Sequence, residues 1–314
     1  MRPKVRSHPK QHVCFWVTSA FVREMESAGT DAHRLCSGPQ AWLERLGEDG
    51  LLSYQTDGAR DEILEALPEK LDALGLKLRR VFGKFIPRQN QDRLAPVLIT
   101  GDSTLPLATT CRESQMRYGL DFGTGYSAGL FIDQRGNRSF LRHLEPRRLL
   151  NTFAYTCAFS IVAASMGAET LSIDLSKKSL DRGRDNFRLN DLDPDGHRFW
   201  ADDVLDMLPK LARRGERFDT IIVDPPTFSR GKSGQAFKAE DSLADLLASA
   251  IEVAAPKGRL LLSTNCHRLD IRTLENIAHH ALKLTRQSAD FHRTAYLIDL
   301  PAPHGAKTLW LFLR

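Results

Sequence analysis

The chain has 314 residues, 42% of them hydrophobic and 26% charged, with a formal net charge of +5 at pH 7. That balance suits a globular protein with a sizeable core, the length favours two domains, and no apolar run is long enough to cross a bilayer as a helix. The five cysteines, Cys14, Cys36, Cys111, Cys157 and Cys266, lack the even count of a secreted disulfide framework and the short spacings of a zinc or redox pair; free thiols in a cytoplasmic protein without a metal site are expected.

In chain order, residues 1–33 read as a basic tail (Arg2, Lys4, Arg6, Lys10) running into a short apolar-amphipathic stretch, with no acid before Glu24. A pI near 9.0 favours an anionic partner. Residues 34–117 are expected to form a small α+β domain, a candidate for RNA binding. Ile63, Leu64, Leu67, Leu71 and Leu74 share one face of a helix over 61–74, with Pro68 predicting a kink or an early stop. Strand-like pieces flank it at 50–55, 78–85 and 96–100. The polar cluster 132–138 reads as a bridge between domains.

A second domain over 118–314 has a regular rhythm. Strands at 148–153, 170–175, 199–203, 218–223 and 259–264 alternate with helices at 156–166, 176–190, 205–214, 239–254 and 272–283. A hairpin at 295–300 and 308–313 closes the chain. The fold class is α/β: a Rossmann-like sheet of seven strands, the last antiparallel.

Five strand ends carry the chemistry. Ile221, Ile222 and Val223 drive a buried strand that stops at Asp224-Pro225-Pro226, since proline lacks an N–H and restrains its predecessor. Ligands bind at that edge of an open α/β sheet. An acid and two prolines there can hold a planar, hydrogen-bonding ring, which points to enzymes that modify nucleobases; a Pro-rich turn is the plain alternative.

The loop after the first strand, 151–160, has none of the glycines of a dinucleotide fingerprint. S-adenosylmethionine, a nucleotide cofactor without phosphates, demands less of that loop. Asp174 ends the second strand about twenty residues on, where a carboxylate can take both ribose hydroxyls or cap the helix at Ser176. Asp202, Asp203 and Val204 end the third strand. Asp203 is preferred for the adenine amino group, with a neighbouring backbone N–H for a ring nitrogen; capping the helix near Leu205 is the other role.

Cys266 follows the fifth strand on the same edge as Asp224. A thiolate there could add to carbon 6 of a pyrimidine and so activate carbon 5, or the residue could be a small buried hydrophobe. The Ser229–Gly234 run that follows Asp224-Pro225-Pro226 includes Gly-Lys-Ser, but Pro226 stands where a P-loop needs glycine. Arg230 and Lys232 could clasp phosphates or simply be solvated.

Long ordered matches lie at Gly129-Leu130-Phe131-Ile132-Asp133-Gln134-Arg135-Gly136-Asn137-Arg138, Leu150 to Thr156, Asp174-Leu175-Ser176 and Asn186 to Asn190. Together they resemble bacterial class I S-adenosylmethionine-dependent methyltransferases acting on 23S ribosomal RNA. The resemblance implies that Asp133, Gln134 and Arg135 lie near the methionine end of the cofactor, with Asn151, Phe153, Ala154, Tyr155 and Thr156 around it. It implies ribose at Asp174 and Leu175, adenine at Asp203, and the target base at Asp224, Pro225 and Pro226. The family's 5-methylcytosine members carry a catalytic cysteine where Cys266 falls, whereas guanine-modifying members carry the Asp-Pro-Pro-Thr-Phe-Ser found at 224–229. Cytosine C5 with Asp224 and Cys266 as catalytic residues is favoured. Guanine nitrogen methylation with Cys266 structural, or an RNA-binding protein that has lost catalysis, are the alternatives. Where the family's cofactor loop has two glycines, this chain has Cys157 and Ala158.

Overall fold

The computed structural model describes residues 14–87, 93–230, 236–266, 268–301 and 305–314. Two compact units emerge, one comprising 1–112 and 121–128, the other 113–120 and 129–314.

The first unit has a six-stranded sheet whose spatial order follows the chain: β1 (Phe15–Trp16), β2 (Ala32–Ser37), β3 (Ala41–Leu46), β4 (Asp49–Tyr54), β5 (Arg80–Phe85) and β6 (Val97–Gly101). Helices α1 (Ser19–Ser27) and α2 (Asp57–Leu74) supply Phe21, Val22, Ile63 and Leu67 to a core shared with Leu43, Leu52 and Val81 of the sheet. Residues 14–33, expected as a tail, thus carry β1, α1 and the start of β2. Pro68 does not stop α2, which runs from a Thr56 cap to a left-handed Gly75. It sits on the exposed side of the helix, where the carbonyl it leaves unbonded can reach water. On the other sheet face Arg80 grips the fully buried Asp49 through two bonds of 2.7 and 3.0 Å and donates to the carbonyls of Leu105 and Pro106.

Strands β7 (Ala108–Glu113) and β8 (Met116–Asp121) follow, and the chain passes from one unit to the other within them. The polar cluster expected as a bridge is instead a 3-10 turn, Ile132–Gln134, leading into helix α3 (Arg135–Leu144) of the second unit. Its charges account for the difference: Arg138 is buried against Glu113 by two bonds of 2.6 Å, so the segment is interior rather than a solvated connection.

Beyond it come β9 (Arg148–Thr152), α4 (Ala158–Ala164), β10 (Glu169–Asp174), α5 (Lys177–Leu189), β11 (Arg198–Ala201), α6 (Val204–Arg213) and β12 (Phe218–Val223). A short antiparallel pair, β13 (Phe228–Arg230) and β14 (Ala236–Lys238), precedes α7 (Ala239–Ile251), β15 (Ala254–Thr264), α8 (Ile271–Thr285), β16 (Ala289–His292) and β17 (Lys307–Leu313). The seven-stranded sheet runs β11-β10-β9-β12-β15-β17-β16, parallel from β11 to β15, with β17 antiparallel to its neighbours. The α/β class and the lone reversed strand are as expected.

The hairpin's first arm is not at 295–300. It is β16, six residues earlier, and Leu297 and Leu300 form only an isolated bridge. Tyr296 and Ile298 are 48% and 72% exposed, so the apolar letters that suggested a strand there have no sheet face to cover. Ile221, Ile222 and Val223 are wholly buried between helical layers, which stabilises the sheet centre by ~1.5–3 kcal/mol per side chain. Register then sets the site: Val223 lies between Thr152 of β9 and Leu262 of β15, so Asp224 emerges beside Phe153 and Ser263.

Candidate active site

Four strand ends and the 3-10 turn converge at the carboxyl edge of the sheet. β10 ends at Asp174, which accepts the Tyr155 N–H at 2.9 Å on one oxygen and the Ser176 N–H at 2.8 Å on the other. Burial pushes its carboxyl above the ordinary range against the pull of those two donors. Each oxygen keeps acceptor capacity for a diol. Leu175 beside it is 36% exposed, an apolar surface turned outward at the same edge.

The loop after β9 is held in an unusual path. Phe153, Tyr155 and Cys157 have φ of 54°, 48° and 64°, the left-handed region that costs a non-glycine residue about 1–2 kcal/mol. Bonds from Ala154 N to Ile173 O (3.0 Å), Cys157 N to Ala154 O (2.8 Å) and Tyr155 N to Asp174 over-determine the turn. Cys157 therefore takes a glycine's conformation without a glycine, and α5 makes room for its side chain. A Cβ on Gly183 would lie 2.5 Å from the Cys157 sulfur. Burial drives that thiol up to about 12, so it stays protonated.

Several expected cofactor residues serve the scaffold. Asn151 is buried and donates to Ser160 Oγ at 2.9 Å, under α4. The Thr156 hydroxyl donates to the Gly129 carbonyl at 2.6 Å, and Ala154 is buried. Arg135 forms a buried ion pair with Asp299 at 2.5 Å. Asp203 caps α6 by accepting the Leu205 N–H at 3.0 Å and is buried with Val204, whereas Asp202 is partly exposed and accepts the Asp203 N–H at 2.9 Å.

A buried relay reaches Asp224. Trp310 Nε1, a donor only, bonds Asn137 Oδ1 at 3.0 Å, and Thr294 Oγ1 donates to the same oxygen at 2.8 Å. Asn137 must then turn its NH2 to Gln134 Oε1, at 2.8 Å. Gln134 in turn presents its own NH2 to Asp224 Oδ2 at 2.9 Å and to Ser263 Oγ at 2.7 Å. The partly exposed Asp224 is raised from 3.8 to about 6. Desolvation is the main cause and the Asp133 charge adds to it, while the Ser263 and Gln134 bonds and the Arg138 charge pull it down. Asp133, Gln134 and Asp224 are thus brought together. The sequence reading missed Asn137, Ser263 and Trp310; the Gln134–Asn137 spacing of three on a helix was the one available signal.

Cys266 lies two residues past β15, 2% exposed within the apolar cluster that includes Leu269 and Leu274. Its carbonyl accepts from Lys307 Nζ at 2.7 Å, and burial lowers that lysine's pKa. Pro225 is buried and Pro226 exposed. Arg230 is placed by its backbone in β13, and Lys232 lies outside the described residues, as does the basic tail up to residue 13.

Residues 90–287 match the family model for S-adenosylmethionine-dependent methyltransferases. The chain belongs to this family. YwbD of Bacillus subtilis (strain 168), provisionally named a ribosomal RNA large subunit methyltransferase, is 33% identical over 64% of this chain and 50% of its own length. Ribosomal RNA large subunit methyltransferase I of Salmonella arizonae is 32% identical over 77% of this chain and 61% of the relative. The chain therefore spans about half to three-fifths of the curated relatives it matches. In fold, a Streptococcus mutans protein provisionally described as an S-adenosylmethionine-dependent methyltransferase superposes with a TM-score of 0.78 at 23% identity, covering 94% of this chain and 78% of that one. The S-adenosylmethionine-dependent methyltransferase of Agrobacterium tumefaciens gives 0.70 at 19%, covering 91% of each.

The residues present fit the family's cofactor. The spare acceptor capacity of Asp174, the outward Leu175 and the fixed turn at 153–157 suit a ribose, an adenine face and an amino-acid tail.

Proposed function

We propose that this methyltransferase modifies a base of structured RNA, 23S ribosomal RNA in the first instance, at carbon 5 of cytosine. The single observation that carries a base as substrate is Asp224. It is a carboxyl poised near pH 6 at the sheet edge, fixed by Gln134 and Ser263 and followed by two prolines. The names of the relatives support RNA.

S-adenosylmethionine supplies an electrophilic methyl carbon on a sulfonium. Asp174 and Leu175 bind its ribose and adenine, the segment 202–204 reads the adenine edge, and the strained loop 153–157 sets its depth. In the cytosine reading, the Cys266 thiolate adds to carbon 6, and negative charge develops on the ring. Asp224, near neutral in pKa, holds a proton at the ring nitrogen and so stabilises that charge. After methylation the proton on carbon 5 leaves to a base and the thiolate is expelled, restoring Cys266.

One observation favours the second reading, guanine nitrogen methylation: the Cys266 side chain is packed in the core. In that reaction Asp224 orients the base and Cys266 only packs. Mass spectrometry of ribosomal nucleosides from a deletion strain names the base. With Cys266→Ala, lost turnover and retained cofactor binding are expected. Full methylation by that variant would remove the thiol step and leave the guanine reading.

A further inference from the structure

Cys14 and Cys36 meet in the first unit, although they stand far apart in the sequence. Register pairs Phe15 with Ser37 and Trp16 with Cys36, so Cys14 falls opposite Gly38 on the face that carries Cys36. Gly38 leaves the slot this needs: a Cβ there would lie 2.7 Å from the Cys14 sulfur. Cys36 is 1% exposed in the core with Leu35, Leu43 and Ile63, and the half-buried Cys14 packs against that core. The two thiols are hydrogen-bonded to each other. That bond lowers the Cys14 thiol below its ordinary value, while burial and the Glu62 charge oppose it. The same bond, together with burial, drives Cys36 up, so Cys36 is the donor and keeps its proton. Cys111, Cys157 and Cys266 are all buried, which leaves Cys14 the most accessible thiol of the five.

We infer that Cys14 and Cys36 form a dithiol that hydrogen peroxide oxidises to an intrachain disulfide. A partly accessible thiol held toward its thiolate, beside a buried one that keeps its proton, is the arrangement in which the first attacks and the second resolves. The Cys14 thiolate attacks one oxygen of the peroxide and the O–O bond breaks. The other oxygen takes the proton that Cys14 released and leaves as water, and Cys14 is then a sulfenic acid. The Cys36 sulfur displaces its hydroxyl, which departs with the Cys36 proton as a second water. Two thiols and one peroxide thus become one disulfide and two waters, with two electrons passing from sulfur to oxygen. The sulfurs must close to about 2.05 Å. Cys14 can make that move because it stands just before β1, a two-residue strand at the edge of the sheet, where a backbone shift disturbs few ladder bonds. The finished bond closes a ring that contains α1 and ties β1 to β2, which restrains the unfolded chain.

The test treats the reduced full chain with a small molar excess of hydrogen peroxide at neutral pH, alkylates the thiols that remain and maps the unreduced digest by mass spectrometry. Free thiols should fall from five to three, with the Cys14 and Cys36 peptides joined at the loss of two hydrogens, and dithiothreitol should restore all five. In Cys36→Ser the reaction should stop at the Cys14 sulfenic acid, captured by dimedone. In Cys14→Ser the Cys36 thiol should survive the same treatment. Circular dichroism checks that each variant is folded, and the wild-type map decides the matter without them if either is not. Five surviving thiols, Cys14 oxidised while Cys36 stays free, a bond between the Cys14 residues of two chains, or oxidation of Cys111, Cys157 or Cys266 ahead of Cys14 would each overturn the dithiol.

Discussion

Asp224→Asn should make the protein more stable and less active, by an amount that depends on pH. The carboxyl is shifted from 3.8 to about 6 chiefly because its charge is poorly solvated at the strand end. About two pKa units correspond to ~3 kcal/mol of differential stability. The sign follows from proton counting. Between pH 4 and 6 the folded state holds a proton that the unfolded state has released, so wild-type stability is full below about 4 and declines until pH passes 6. Asparagine carries no charge and escapes that decline, while its side-chain oxygen can still accept from Gln134 and Ser263. The variant should therefore match the wild type near pH 4 and exceed it by up to ~3 kcal/mol at pH 8, an upper figure because Asp224 keeps some surface in solvent. Urea denaturation followed by circular dichroism from pH 4 to 8 measures the difference, and methyl transfer should fall in parallel. A gain that does not vary with pH, or a wild type more stable at pH 8, would refute the buried-charge argument.

Other consequences are equally direct. Gly183→Ala should destabilise the chain, since its Cβ would meet the Cys157 sulfur at 2.5 Å. In a Cys157→Gly background the nearest atom that remains is the Thr156 backbone carbonyl carbon at 3.5 Å, so a double-mutant cycle should show coupling of about 0.5–3 kcal/mol. Asn137→Leu strands the Trp310 N–H, the Thr294 hydroxyl and the Gln134 carbonyl. It should cost ~1–3 kcal/mol for each group left unpaired and lower the rate more than cofactor affinity, read by denaturation and by single-turnover methylation. Arg80→Met leaves Asp49 charged at zero exposure, so a loss of ~3–5 kcal/mol is expected, largely recovered by adding Asp49→Leu.

The sheet was legible in the sequence wherever an element had to bury itself on both sides. β12 and β15 are apolar runs that could be nothing but central strands, and β10 ends at Asp174 where expected. β16 was not legible because Ala289-Asp290-Phe291-His292 is a short edge strand with a weak alternation, easily outranked by the apolar letters at 295–300. Motif residues were found more readily than their jobs. Arg135 and Asn151 stand in the expected motifs, yet each is bonded to a buried partner that only the fold reveals. Trp310 is the reverse case, lying far away in the chain yet setting the orientation of Gln134 through Asn137. A left-handed cysteine at position 157 also defies sequence logic, because its tolerance depends on the absence of a side chain at Gly183 on another helix.

Calorimetric titration of S-adenosylmethionine into wild type, Asp174→Ala and Asp224→Asn separates the two ends of the site most directly. Loss of the charged ribose acceptor should weaken binding by about 10-fold or more, while Asp224→Asn should bind nearly as well as wild type yet transfer methyl groups more slowly. Equal affinity in Asp174→Ala and wild type would contradict the cofactor's assignment to the ends of β9 and β10.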